Sequence, residues 1–391
     1  MLYGSMDPNE RFRARRDHTR RRKRRRRAAL LGVPLLAVVV LGAGWQLRSV
    51  RAHGKAQKPA AAGVVGPSST AVQQRPLPIE IRGIHVTGAL ASLPGKLAQY
   101  AALKKQGLNT IELDIKDEGG EVGFAPRSVP LATEIGAVRG YYDARRVVRQ
   151  LHAKGIYLIG RIVVFQDPRL ATARPDLAIH RRDGSVWTTS AGLGWVDPYD
   201  KRVWAYDVGI AVAAAKAGFD EIMFDYARFP SDGNVGDTVY PARTAEARGR
   251  VVADFAAYAD AHLRPFGTRV SSAVFGLSAT RDLRIGQVPR WIATHVDTVS
   301  PMSYPALYGA GELGIEHPSD EPGETVFRTL SDFHRQLRGS GAHLVPWIQD
   351  WGYDLAQVRA QIESARLQGA KGYLLWNAEG LYTPGALAAA S

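Results

Sequence analysis

Two aspartates in this chain close apolar runs: Asp225 follows Ile222-Met223-Phe224, and Asp350 follows Trp347-Ile348-Gln349. A carboxylate placed where an apolar strand emerges must be solvated, paired or functional. Two carboxyl groups flanking a glycosidic bond can hydrolyse it: one donates a proton to the leaving oxygen, and the other attacks or activates water. Asp225 and Asp350 form the best such pair in the sequence. Each also has a structural use open to it. Asp225 could pair with Arg228, and Asp350 could cap a helix beginning near Leu355.

A second acidic stretch runs Glu112-Leu113-Asp114-Ile115-Lys116-Asp117-Glu118. Strand alternation puts Glu112, Asp114 and Lys116 on one side, a costly arrangement unless the charges pair. Lys116 is expected to pair with Asp114, with substrate binding next and a Schiff-base role last. Asp114, Asp117 and Glu118 are further candidates for the proton donor. Arg161, among Ile159, Ile162 and Val163, would fix a neighbouring carboxylate in the charged form a nucleophile needs, or serve as a structural salt bridge.

Sugar-binding clefts need ring faces and a few placed polar groups. Trp187, Trp195, Tyr304, Trp347, Trp351 and Trp376 all fall at predicted strand ends or in long loops. Tyr304 and Asn377 are candidates for hydrogen bonds to hydroxyls, and Arg228 for a substrate contact. The sequence has no cysteine, which rules out disulfides and thiolate chemistry, and its ten histidines form no H-x-H, H-x-x-H or H-E-x-x-H spacing. It has neither a P-loop nor a G-x-S-x-G elbow. The expected reaction calls for no metal and no cofactor.

Positioning these residues requires a scaffold, and the patterning supplies one. Strands are predicted at Gly83–Gly88, Thr110–Lys116, Tyr157–Phe165, Glu221–Tyr226, Val270–Phe275, Thr298–Ser303, Leu344–Ile348 and Gly372–Trp376. Helical stretches alternate with them at Leu97–Gln106, Ala144–Ala153, Lys201–Ala217, Ala245–Leu263, Glu324–Leu337 and Leu355–Leu367, with a weaker one near Pro289–Thr294. Helix-to-strand links are short and strand-to-helix links long, so the elaboration sits on one face. The pattern predicts an α/β chain closed into a (β/α)₈ TIM barrel with its site at the carboxyl ends of the strands. An open doubly wound sheet would want a glycine-rich turn after the first strand, and Gly88-Ala89-Leu90-Ala91 is not one.

The net charge of +14 resides in the amino-terminal part: residues 1–78 hold 17 Lys+Arg against 3 Asp+Glu. The remaining 313 residues balance at zero, so the globular part lacks the electrostatic footprint of a nucleic-acid binder. Residues 1–27 read as a basic cytoplasmic tail. Residues 28–47 carry no charge and are long enough to span a membrane, with a cleaved signal peptide as the alternative. Residues 48–78 read as a flexible linker, and residues 79–391 as the barrel. The basic run predicts a single-pass protein with its amino terminus inside and its barrel extracytoplasmic.

Arg82-Gly83-Ile84-His85-Val86-Thr87-Gly88, Trp195-Val196-Asp197-Pro198-Tyr199, Gly218 through Pro230 and Pro346-Trp347-Ile348-Gln349-Asp350 together resemble the glycoside hydrolase-like domain family long catalogued as a domain of unknown function. The resemblance covers about Ile81 to Tyr382. It implies a TIM barrel distantly similar to the α-amylase superfamily, with the nucleophile of strand 4 mapping onto Asp225. Strand 5, Ser271-Ser272-Ala273-Val274-Phe275, has no carboxylate to match that superfamily's acid. The expectation is a glycosidase acting on an extracellular or envelope polysaccharide. The competing class is a catalytically silent sugar-binding barrel.

Overall fold

The computed structural model describes residues 74–388. The expected tail and spanning segment, and the linker up to residue 73, lie outside the described residues. Among those described, no helix is long and apolar enough to cross a membrane.

Nine strands build the sheet: β1 (Ile81–Val86), β2 (Thr110–Lys116), β3 (Tyr157–Val163), β4 (Glu221–Asp225), β5 (Arg269–Phe275), β6 (Thr298–Ser303), β7 (His343–Leu344), β8 (Trp347–Gln349) and β9 (Gly372–Trp376). They run in the order β5-β4-β3-β2-β1-β9-β8-β6-β7, and pairing of β5 with β6 closes the ring. Every ladder is parallel. β7 and β8 form one barrel stave interrupted at Pro346, which has no N–H to give. The stave is nonetheless continuous, since Val345 N donates to Val299 O at 3.1 Å and Pro346 O accepts from Leu374 N at 2.9 Å. The architecture is therefore the eight-stave barrel that the alternating pattern predicts, with helices such as Lys201–Ala217 and Leu355–Leu367 where expected.

Alternation divides each strand between two cores. Leu158, Ile162, Ile222, Phe224, Tyr373 and Leu375 pack outward against the helices. Ile81, Tyr157, Ile159, Met223, Ala273 and Leu374 fill the barrel itself. Burial on both faces explains why these strands are rich in apolar residues throughout. It also fixes which side chains reach the mouth: those two residues further along the inward-facing rows.

One expected direction is corrected. The β2–β3 register shifts between Asp114 and Lys116, and this bulge turns Lys116 out of the inward row. Lys116 instead reaches Asp167 (2.8 Å) and Asp207 (2.5 Å), the latter on the helix Lys201–Ala217. All three side chains are wholly buried. Burial alone would lower the Lys116 ammonium, but the charges of Asp167 and Asp207 outweigh it and hold it above its ordinary value. Wholly buried and bonded to two carboxylates, it is placed as a structural charge, not as a Schiff-base nucleophile.

Candidate active site

β2, β3 and β4 lie side by side, and their inward side chains meet at the carboxyl end of the barrel. Strand register does the first part of the work: His85 is the ladder partner of Glu112, and Asp114 that of Arg161. The Arg161 guanidinium then gathers three carboxylates. Nη1 donates to Asp114 Oδ1 at 2.8 Å and Nη2 to Glu118 Oε1 at 2.7 Å. Nε and Nη2 both donate to Asp225 Oδ2, at 3.0 and 2.6 Å. Asp225 Oδ1 accepts from the backbone N of Tyr226 at 2.7 Å. Tyr226 sits at φ 53, a left-handed conformation that costs a residue with a side chain about 1–3 kcal/mol. That bend ends β4 and lets Asp225 receive the amide of its own successor.

Asp114, Arg161 and Asp225 are almost fully buried, whereas the Glu118 side chain keeps 23% of its exposure. Glu118 lies in the loop that opens after β2, and its position makes it the cluster's most accessible carboxylate. Burial is the largest influence on Asp114, pushing it up to about 7 against the opposing pull of His85 and Arg161. Asp225 pairs with Arg161. Arg228 packs over Trp195, Tyr226 and Phe275 and donates to Phe229 O at 3.0 Å.

The residues singled out in the sequence do not all converge here. The Asp350 carboxylate accepts from Thr383, Oδ2 from the backbone N at 2.9 Å and Oδ1 from the hydroxyl at 2.5 Å, which secures the carboxy-terminal segment. Burial raises its pKa, with the Thr383 bonds pulling the other way. It is not the helix cap either, because Asp354 caps Leu355–Leu367 through a capping box with Gln357. Asp117 builds a turn, its Oδ1 accepting from Gly119 and Glu121 at 2.9 Å each. Asn377 is also used within its loop, donating to Asp350 O and accepting from Glu379 N. Trp187 donates to Asn234 O inside the long loop and stays in the core.

Two of the candidate tryptophans flank the Arg161 guanidinium. Trp347 and Trp376 stack at 4.7 Å, with the Arg161 guanidinium 5.7 and 5.4 Å from their centroids. Tyr304 meets Trp351 edge-on at 5.1 Å. Trp195 lines the wall beneath Arg228. Trp347 Nε1 and Tyr304 Oη are buried with no hydrogen-bond partner in the protein.

The sequence reading missed His85. It sits in the inward row of β1 and stacks on Trp376 at 3.9 Å. Period-two patterning shows that it faces inward, but the register that sets it against Glu112 is a tertiary fact. His85, Glu112 and Asp114 place ligand-type atoms within 4.8 Å of one another. A cation bound there would sit beside the Arg161 guanidinium, whose charge opposes it.

A family model described as "Putative glycosyl hydrolase domain" matches residues 83–382. The glycoside hydrolase domain of PgaB (BpsB) from Bordetella bronchiseptica aligns with 78% of this chain and 95% of its own, at 18% identity and a TM-score of 0.57. The carboxy-terminal domain of a chitinase-type protein from Desulfitobacterium hafniense aligns with 79% and 97%, at 12% identity and a TM-score of 0.51. A hypothetical protein from Ruminiclostridium thermocellum is 34% identical over 48% of this chain and 96% of its own, with a TM-score of 0.45. At these identities the two hydrolase-type likenesses show a shared fold. No curated protein matches the chain.

Proposed function

The chain belongs to that glycosyl hydrolase domain family, and on this premise we propose that it is a glycosidase whose working carboxyl pair is Asp225 and Glu118. One observation carries the assignment: a single guanidinium nitrogen, Arg161 Nη2, touches both groups, at 2.6 and 2.7 Å. Their bonded oxygens therefore lie no further apart than those two contacts laid end to end. That upper bound is short of the ~6.5–9.5 Å that leaves room for water in inverting enzymes, and puts the pair on the side of retaining ones, whose carboxyl groups lie ~5–5.5 Å apart.

In this reading Asp225 attacks the anomeric carbon as the glycosidic C–O bond breaks, and Glu118 gives its proton to the departing oxygen. Glu118 then takes a proton from the water that cleaves the glycosyl ester, freeing Asp225. Arg161 can shift its pairing from Asp225 to Glu118 as charge moves between them, without reorganising. Trp347, Trp376 and Tyr304 supply ring faces and two unspent donors for a sugar.

The substrate proposed is an extracellular or envelope polysaccharide, with the barrel held outside the membrane by residues 28–47. The charge-free run after twelve basic residues between Arg11 and Arg27 supports that placement. Protease added to spheroplasts should digest the barrel, and a protected barrel would reverse the orientation. The function itself is tested by incubating the purified protein with a panel of polysaccharides and measuring released reducing ends. Release from at least one, abolished by Asp225→Asn, is expected. Sugar binding without release, indifferent to Asp225→Asn, would replace the enzyme with a sugar-binding barrel.

A further inference from the structure

Below the carboxyl pair lies a row of groups that hydrolysis as described does not use. Glu112 Oε2 meets His85 Nδ1 at 2.5 Å, while His85 Nε2 has no hydrogen-bond partner and lies 3.6 Å from Asp114 Oδ2, just beyond bonding reach. Asp114 is in turn bonded to Arg161. All are buried. The ring is held in this pose by stacking on Trp376 and by the Tyr382 hydroxyl on the His85 carbonyl. The charged groups facing it are Glu112 and Asp114 from β2, Glu118 from the following loop, Arg161 from β3 and Asp225 from β4.

Glu112, Asp114 and Asp225 thus lie in a dry interior around one guanidinium, which also holds the partly exposed Glu118. Uncompensated charge there is expensive, so a proton must reside among them. Burial pushes Glu112 well above the carboxylate range, against the pull of Arg161. Burial also takes His85 down to about 4, against the pull of Asp114. Asp114, raised less far, to about 7, is the carboxylate above that pH, which leaves the proton on Glu112 and the imidazole neutral.

We propose that Glu112, His85 and Asp114 form a proton relay that moves negative charge to and from the reacting centre. At rest Glu112 is protonated and donates to Nδ1, while Nε2–H faces the Asp114 carboxylate. In the shifted state the ring has closed the 3.6 Å gap to Asp114, Glu112 has given its proton to Nδ1, and Nε2 has passed its own to Asp114. No proton is gained or lost overall. The resting state puts a second negative charge beside Asp225 while positive charge develops on the sugar. Once Asp225 is esterified and Glu118 has become anionic, repulsion between Asp114 and Glu118 favours the shifted state. Glu112 and His85 are thus positioning residues acting through Asp114. The use made of the relay rests on the Asp225–Glu118 reading, whereas its existence does not.

The test is ¹⁵N-histidine NMR of the full-length chain, with His85→Phe, which keeps a ring on Trp376, identifying the signal. Above about pH 7, where Asp114 is a carboxylate, the His85 ring should be neutral and the Nε2–H tautomer. Asp114→Asn should move it toward Nδ1–H, because Glu112 is then the remaining base. A charged ring, one tautomer in both proteins, or a signal that changes on adding chelator would overturn the relay. This readout needs no substrate, so it stands even if hydrolysis is never found. On a cleaved glycan, Glu112→Gln and His85→Phe should each lower kcat roughly 100-fold with KM unchanged. The double variant should lose no more than either single one, and additive losses would overturn a shared path.

Discussion

Arg161 holds Asp225 by two nitrogens on one oxygen, Nε at 3.0 Å and Nη2 at 2.6 Å, leaving the other oxygen to the Tyr226 amide. A planar fork can do this and an ammonium cannot. The orientation of the carboxylate is therefore set by β3 and by the bend after β4 before any substrate arrives.

Asp225→Asn keeps the shape and removes the attacking charge. Hydrolysis should fall by several orders of magnitude while sugar binding, read by calorimetry, survives. Arg161→Lys should lose most activity as well, and it should also lower Tm, because an ammonium cannot satisfy Asp114, Glu118 and Asp225 together. An Arg161→Lys protein with unchanged turnover would remove the basis for pairing Asp225 with Glu118.

Asp350 makes the opposite forecast. Its oxygens are committed to Thr383, so Asp350→Ala should cost about 1–3 kcal/mol in urea unfolding. The refolded variant should still turn over substrate within a few-fold of wild type. A loss as deep as that of Asp225→Asn would restore Asp350 to the chemistry.

Lys116→Met should destabilise the barrel by about 3–5 kcal/mol, since Asp167 and Asp207 would be left buried without their cation. Adding Asp167→Asn and Asp207→Asn should recover much of that in thermal unfolding. Borohydride with a carbonyl-bearing sugar should trap no adduct on Lys116. An adduct would reinstate the Schiff-base route.

Asp114 should leave a signature in stability against pH. Its folded pKa, about 7, lies above the ordinary 3.8, so its contribution is complete below about 3.8 and lost as pH rises through 7. His85, lowered from 6.5 to about 4, contributes above 6.5 and loses that contribution as pH falls through 4. Asp114→Asn removes the first, and by withdrawing the Asp114 charge it lets His85 fall further, away from this pH window. Wild type should therefore lose stability relative to Asp114→Asn between about pH 4 and 7, no more steeply than about 1.4 kcal/mol per pH unit. Parallel curves from denaturant titrations would contradict the raised Asp114.

Much of this molecule is determined locally. Runs such as Thr110–Lys116 and Thr298–Ser303 begin and end in the structure where patterning puts them, and so does the helix Lys201–Ala217. Strand length and helical spacing are properties of neighbouring residues, and strands alternating with helices leave a parallel barrel as the economical closure. Asp225 was legible for the same reason, as an acid at the end of an apolar strand. What the tertiary structure decided was partnership. Lys116 left its expected side through a one-residue bulge that alternation cannot foresee. Asp350 went to Thr383, 33 residues away, and Arg161 took Glu118, Asp114 and Asp225 from across two strand boundaries. His85 found Glu112 only because β1 and β2 pair in one particular register. Periodicity fixes which way a side chain points, whereas register and loop path fix what it meets, and a buried charge takes its role from what it meets.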